Sequence, residues 1–379
     1  MMKNLRLSNM VSGTLLLAGH HIYTSILSGQ KHVEELLHGH KVRVRRELRM
    51  EKEIFLKLVE LLRDSHLLSN ARDITVEEQV AIFLFCLATN ASNRLMQERF
   101  QHSGETISRY FNIVLQAIIS LSSKIIELPP INTPFVISSN PKFMPYFQGC
   151  IGAIDGTHIP ITMSPSLQDP YRNRKGGLSQ NVMVACDFNC QFVHVSAGWE
   201  GSAADARVLQ DALSHGFYVP HGKYYLVDAG YANTPNFIAP FRNVRYHLQE
   251  QGRANQRPSN AKELFNLRHA QLRNHVERII GVLKMRFSIL KCASHYPIDT
   301  QTDIVMAGCT LHNFIKKHDG SDQWLNEDGM QWTFQDGDHC YGEDVSSLNE
   351  RRRAGRNERR NHIAQAMWND YLAYIQRNN

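Results

Sequence analysis

Cysteine is scarce and unorganised in this chain, with seven residues and no CxxC pair. The closest two, Cys186 and Cys190, lack the further Cys or His spacing of a structural zinc site. An odd, unpatterned set excludes a disulfide-stapled secreted scaffold and fits reduced thiols in a cell interior. Long apolar runs are missing as well. The longest near the start, Leu15 to Gly19 with Met10 and Val11 before it, is interrupted by Ser12, Gly13 and Thr14. It falls far below the roughly 20 residues of a membrane span. Lys3 and Arg6 give it a slight likeness to a signal peptide, which the unpaired cysteines oppose. No membrane segment and no internal repeat is expected, leaving cytoplasm or nucleus. Neither sign of charge dominates: 42 Lys and Arg stand against 36 Asp and Glu, a formal +6. That balance suits a polyanionic partner without requiring one.

What is present divides the 379 residues into several parts. Residues 1–45 show no sustained period and end in the basic stretch Lys41, Arg43, Arg45 and Arg46, as a loosely ordered basic arm would. Over 46–128 the pattern is helical. Phe55, Leu58, Val59 and Leu62 recur at three and four residues, and Thr75 with Glu78 has the form of a capping box before Val80, Phe83, Leu84 and Leu87. A short helix over Arg94 to Phe100 precedes a new start at Ser103, a good N-cap, and then a stripe of Ile107, Phe111, Val114, Leu115 and Ile118. Short helix, brief turn, longer helix is the outline of a helix-turn-helix, and also of an ordinary packing cluster; the residues alone leave both readings open. Arg109 is the one strong cation early on the candidate recognition helix.

Pro129, Pro130, Pro134, Pro141 and Pro145 mark 129–148 as a Pro-rich linker. From Gly149 the period becomes that of strands. Ile151 to Ile161, Asn181 to Asp187 and Gln191 to Ala197 read as consecutive strands, followed by a helix over Ala204 to Ser214 and a strand over Lys223 to Val227. A long helix is predicted over Lys262 to Leu290 and another around Asp303 to Lys317. The fold class predicted for 149–318 is α/β, a mixed sheet flanked by helices. Residues 319–379 read as a polar tail with a terminal helix near Ala366 to Ile375.

Asp155 follows the apolar run Cys150 to Ile154, and Asp228 follows Tyr224 to Val227. A carboxylate at the end of a buried strand is costly unless paired, hydrogen-bonded or bound to a cation. Gly156 and Gly230 permit a close approach of backbone or ligand. Glu277 lies on the long helix between the core positions Val276 and Ile280, able to look across at both strand ends. Three hard oxygen ligands without a Cys or His cluster suit Mg²⁺ or Mn²⁺. An Asp after a strand is also commonly a turn or cap residue, so convergence does not follow from composition alone.

The words around these residues resemble the PIF/Harbinger superfamily of DDE transposases and the nucleases derived from Harbinger transposases. The likeness covers about Arg46 to His318. It rests on Gly152-Ala-Ile-Asp155-Gly-Thr-His158, Val227-Asp228-Ala-Gly-Tyr231 and Asn274-His-Val-Glu277-Arg278-Ile-Ile-Gly281. Residues 94–111 are similar to the family's helix-turn-helix segment, and Met367-Trp-Asn-Asp-Tyr371 to its C-terminal end. The resemblance implies an RNase H-like fold in which Asp155, Asp228 and Glu277 hold two divalent ions. Water then cuts the DNA strand, and the freed 3′-hydroxyl attacks target DNA. It further implies nuclear localisation and a Myb/SANT-like DNA-binding partner, while the sequence leaves the oligomeric state open, a homo-oligomer included. One departure is Ala204, before Asp205, where relatives usually carry His or Asn.

Ser103, Arg109, His158, Arg273, Arg278 and Lys284 are the candidate DNA contacts, His158 being equally readable as a histidine satisfied by the fold. Arg273, Arg278 and Lys284 belong to a stretch, 241–291, with eleven Lys and Arg against three Glu, which would attract phosphates unless it is merely a solvated face. A second cluster, Arg351 to Arg353 with Arg356, Arg359 and Arg360, reads as a phosphate-binding or nuclear-import patch. Two functional classes remain. One is an active DNA-cutting transposase or host nuclease; the other is a domesticated, catalytically silent DNA- or chromatin-associated protein.

Overall fold

The computed structural model describes residues 22–244, 257–319 and 350–378. The first part is a cluster of six helices: α1 (Gly29–His38), α2 (Lys41–Leu48), α3 (Lys52–Asp64), α4 (Val76–Thr89), α5 (Asn93–Phe100) and α6 (Gly104–Ile125). Residues 29–48, expected within a loose arm, are instead two packed helices. Ser28 caps the first, and Val33, Leu36, Val44 and Leu48 are buried. Each helix is short, and it is stabilised by packing against α4 and against the neighbouring helices α3 and α5. The first 21 residues lie outside the described residues.

Helix α4 is buried on nearly every side, as expected of the central helix of a cluster. Thr75 accepts from Glu78 N at 3.3 Å as the capping pattern predicts. The reciprocal half of that box is spent elsewhere, because the buried Glu78 carboxylate takes His102 Nε2 at 2.8 Å. Helix α5 ends at Gln101 in the left-handed conformation, and Ser103 opens α6.

Helix α6 joins the two halves of the molecule. Its stripe packs on α4 and on α10 (Ile298–His318), Phe111 stacks on Tyr296 with ring centroids 4.7 Å apart, and Gln116 Nε2 donates to Asp303 Oδ2 at 2.8 Å. One continuous apolar core therefore runs from Val33 through the helices and the sheet to Met367. The Pro-rich segment is part of that core. It contains a single turn of helix, α7 (Phe135–Ser138), and buries Ile137, Phe143 and Phe147, the last against Phe265.

The sheet has the order β3-β2-β1-β4-β5, with β1 (Cys150–Pro160), β2 (Ser179–Cys186), β3 (Phe192–Glu200), β4 (Tyr224–Leu226) and β5 (Phe237–Ile238). The first three strands form an antiparallel meander, while β4 and β5 add in parallel beside β1. This is the α/β architecture of the RNase H-like class. Strand β5, only two residues long, is too short to leave a readable period. Alternate residues face opposite layers. Ala153, Val182, Val184, Tyr224 and Leu226 pack in the main core beneath α9 (Ala261–Arg286) and α10, whereas Ile154, Met183, Tyr225 and Val227 pack in a second core under α8 (Asp205–Ser214).

Helices α9 and α10 dock through asparagines that imitate strand pairing. Asn266 accepts from Phe241 N at 2.8 Å and donates to Phe241 O at 3.0 Å; Asn313 does the same for Phe192, at 2.8 and 2.7 Å. The terminal helix α11 (Glu350–Asn378) is longer than the sequence pattern indicated, and it packs on α9 with Ile363, Ala364 and Met367 buried. Arg359 lies over the Tyr224 ring at 4.3 Å and Arg360 over Phe241 at 4.2 Å, with Arg360 Nη1 donating to Ala239 O and Pro240 O. These two arginines thus fasten α11 to the sheet rather than forming a free phosphate patch. The side chains of Arg351 to Arg353 and Arg356, and residues 320–349, lie outside the described residues. Among the described residues no helix is long and apolar enough to cross a membrane.

Gly152 sets the spacing of the central strands. A Cβ there would stand 2.0 Å from Cys186 O and 2.9 Å from the Tyr225 ring, and backbone on the neighbouring strand cannot yield. Gly152→Ala should therefore cost on the order of 3 kcal/mol or more, read as a lowered urea midpoint. Arg360→Ala, which removes hydrogen bonds and a ring contact, should cost about 1–3 kcal/mol in the same assay.

Candidate active site

The parallel pairing of β1 with β4 ends at Ala153 and Leu226, two residues before Asp155 and Asp228 respectively. The first two acids thus leave the last strand pair by the same number of steps, and both act on the buried Tyr231 hydroxyl. Step-two periodicity also gives both the face occupied by Ala153 and Leu226, the face that α9 covers. Asp155 is within β1 rather than at its end, because β2 continues to pair with the strand as far as Pro160. Asp228 follows β4 directly; it is 3% exposed and accepts from Gly230 N at 2.9 Å.

Helix α9 supplies the third acid and a base beside it. Arg273 and Glu277 are one helical turn apart, on the same face. The Arg273 guanidinium is 2% exposed; its Nη1 is 3.1 Å from Asp155 Oδ2, and its Nη2 engages Glu277 Oε1. Asp155 and Glu277 are thus held together through a buried cation. Removing one partner from such an arrangement costs about 3–5 kcal/mol, since the remaining charge is left uncompensated. His269, one turn earlier, donates from Nε2 to Ile238 O at 2.9 Å and ties α9 to β5; burial pushes its pKa down to about 3, keeping it neutral.

Two further groups surround the acids. Asp205, first residue of α8, accepts from Asn181 Nδ2 at 3.0 Å and approaches Gly156 so closely that a Cβ there would be 2.7 Å from its Oδ1. Ala204 occupies the N-cap of α8 and makes no side-chain cap, which is the local consequence of the departure noted at that position. The Tyr231 hydroxyl is buried, and its pKa is driven well above the usual phenol range by burial and then by Asp205, Asp228 and Asp155. Neither Asp205 nor Tyr231 stands out as a site residue from spacing; their proximity to the acids arises from the sheet.

The candidate DNA contacts separate into distinct environments. Arg273 is interior, pointed at the acids, and Arg286 is interior beside His312, so these two of the eleven cations are not surface charges. Arg268 lies over the Tyr146 ring and Lys262 over Phe241. Arg278 is partly exposed beside Glu277, while Arg245 and Arg253 lie outside the described residues. His158 Nδ1 is 3.0 Å from Ser179 Oγ, a partner supplied by the fold. Ser103 is spent on capping Thr106 N, and the exposed Arg109 pairs with Glu105. Both stand on α6, whose main neighbour in the sheet region is α10 rather than α9 or β1.

The donor chemistry fits a hard divalent cation, because all three acids offer oxygen alone. Among the described residues, however, no three acidic, His or Cys side chains are gathered closely enough to cage an ion. Arg273 stands between two of them.

Lys284 lies two turns beyond Glu277 and reaches inward, donating from Nζ to Thr157 Oγ1 at 2.7 Å and His158 O at 2.9 Å. Burial lowers its pKa from 10.5 to about 8, with Asp155 pulling upward and Lys291 pushing further down. The folded state therefore releases this proton before the unfolded chain does. Stability should rise by about 3 kcal/mol as pH goes from about 8 to 10.5, the window in which only the unfolded lysine holds its proton. Denaturant titrations across that window should show the rise in the native chain and its absence in Lys284→Met.

Comparison with known proteins agrees with this architecture. Residues 24–120 match a family described as a domain of unknown function (DUF8040), and residues 154–313 match the family described as DDE superfamily endonuclease. The rat protein named "Putative nuclease HARBI1" is 28% identical over 263 residues, covering 67% of this chain and 71% of its own length. Its human counterpart is 26% identical over 262 residues, with the same shares. "Protein ALP1-like" of Arabidopsis thaliana is 26% identical over 287 residues, covering 68% of this chain and 64% of its own length. No solved structure matches the chain significantly. Residues 154–313 of this chain, which include all three predicted acids, are therefore the part that is similar to the DDE superfamily endonucleases.

Proposed function

We propose that this chain is a divalent-metal-dependent DNA endonuclease of the PIF/Harbinger transposase type. The observation that carries the reading is the geometry of the acids: Asp228 just after β4, the strand parallel to the one that holds Asp155, and Glu277 brought to Asp155 from the covering helix through Arg273. Asp155, Asp228 and Glu277 would hold Mg²⁺ or Mn²⁺, two ions in the full arrangement. Such ions activate the attacking oxygen and stabilise the leaving oxygen of a phosphodiester.

The chain's own groups shape that chemistry. Asp228, nearly dry, and Asp155, within a paired strand, are rigid donors, so little ordering remains to be done when the site fills. Glu277 is 27% exposed and is the acid best able to change rotamer. The Lys284 ammonium, held against the Asp155 strand by Thr157 and His158, adds positive potential next to the acids and would favour an approaching phosphate. Exposed cations would supply a non-specific grip on the DNA backbone that weakens with salt. The same reading includes nuclear localisation, transfer of the freed 3′-hydroxyl to target DNA, and a Myb/SANT-like partner that adds sequence recognition. That partner fits α6, whose early cation Arg109 is already paired with Glu105.

Purified full-length protein incubated with labelled duplex DNA in Mg²⁺ or Mn²⁺ should produce strand cuts ending in 3′-hydroxyl. Asp155→Asn should lower the cutting rate at least on the order of a hundredfold. If the native chain, supplied with terminal-repeat DNA and a Myb/SANT-like partner, makes no metal-dependent cut, the nuclease reading is wrong and a DNA-associated binding protein takes its place.

A further inference from the structure

We propose that Arg273 is a resident counter-ion of the active site and that a divalent cation loads by drawing Glu277 away from it. This inference rests on the metal-dependent nuclease reading and goes beyond it by naming the group with which the metal competes. The guanidinium addresses two different acids at once, Nη1 towards Asp155 and Nη2 towards Glu277. A metal using those same carboxylates has to share or replace these contacts.

The three partners are unequal in freedom. Arg273 is 2% exposed and enclosed by the core beneath α9, and Asp155, 15% exposed, is fixed in a paired strand. Glu277 is 27% exposed at the outer end of the trio. Moving the arginine would carry a charge through an apolar interior, whereas moving Glu277 needs only side-chain rotation near solvent. Because Arg273 and Glu277 are four residues apart on one helix, their pair re-forms without any tertiary movement. The arrangement keeps the acids compensated while no metal is bound, and it weakens metal binding by the free energy of the contact that must be given up.

The test measures metal affinity and stability rather than cutting. Mn²⁺ binding to the full-length chain, Arg273→Gln and Arg273→Lys would be followed by titration calorimetry and by loss of the free-ion electron paramagnetic resonance signal. Thermal unfolding would be recorded with and without Mn²⁺. Arg273→Gln should melt lower than the native chain without metal, bind Mn²⁺ more tightly by about tenfold or more, and gain more stability from it. Arg273→Lys keeps the charge but has a single donor centre that cannot span both acids, so its affinity should lie between the other two. Should the glutamine variant fail to fold, the lysine variant still decides, by a gain of affinity over the native chain. Unchanged or weaker Mn²⁺ binding in the folded variants would overturn the counter-ion role while leaving the nuclease reading intact. Absence of Mn²⁺ binding in all three proteins would overturn both.

Discussion

Several carboxylates cannot share one dry corner of a sheet unless something positive is placed among them. In this protein the corner is where Asp155 in β1 and Asp228 after β4 both border the Tyr231 hydroxyl, and the positive charge is the buried guanidinium of Arg273. Much of the surrounding construction serves to hold that one side chain. Its helix is tied down at one end by Asn266 pairing with the Phe241 backbone and by His269 bonding to Ile238, and further along by Lys284 reaching Thr157 and His158. If α9 slid by a single turn, Arg273 and Glu277 would both leave the acids of the sheet.

The remainder of the chain supports that helix from outside. Helix α11 packs on α9, with Arg359 and Arg360 laid on Tyr224 and Phe241 next to the strands that present the acids. On the other side α6 and α10 connect the N-terminal helices to β3 through a shared core. The N-terminal helices are thus continuous with the body of the sheet rather than joined to it by a free tether.

Charge is used in two ways that composition does not separate. Arg273, Arg286 and Lys284 are turned inward, towards acids, a histidine and strand backbone, and Arg359 and Arg360 are flattened on aromatic rings. A surplus of cations in the sequence therefore overstates what the surface offers to DNA. Basic side chains close to an acidic site and to large aromatic faces find partners within the fold, and only the remainder is left to meet phosphates.

By itself the sequence determined the meander of three strands, the strand just before Asp228, the long helix carrying Glu277 and the stripe of α6, because each is an apolar period long enough to rise above its neighbours. It also singled out the three acids, from strand-flanking position and from the words around them. The packing of 29–48 and of the Pro-rich segment was not legible, since neither holds a sustained period and both are stabilised by surfaces distant in the chain. Nor was the strand β5, whose two residues pair only because β4 is already in place. Tertiary structure alone decided that Arg273 faces Asp155 instead of solvent, and that Asp205 and Tyr231 border the same corner. The reason is physical: which face of a helix meets which strand depends on how the layers dock, and a charged residue of unknown orientation reads the same whether it will be buried or exposed.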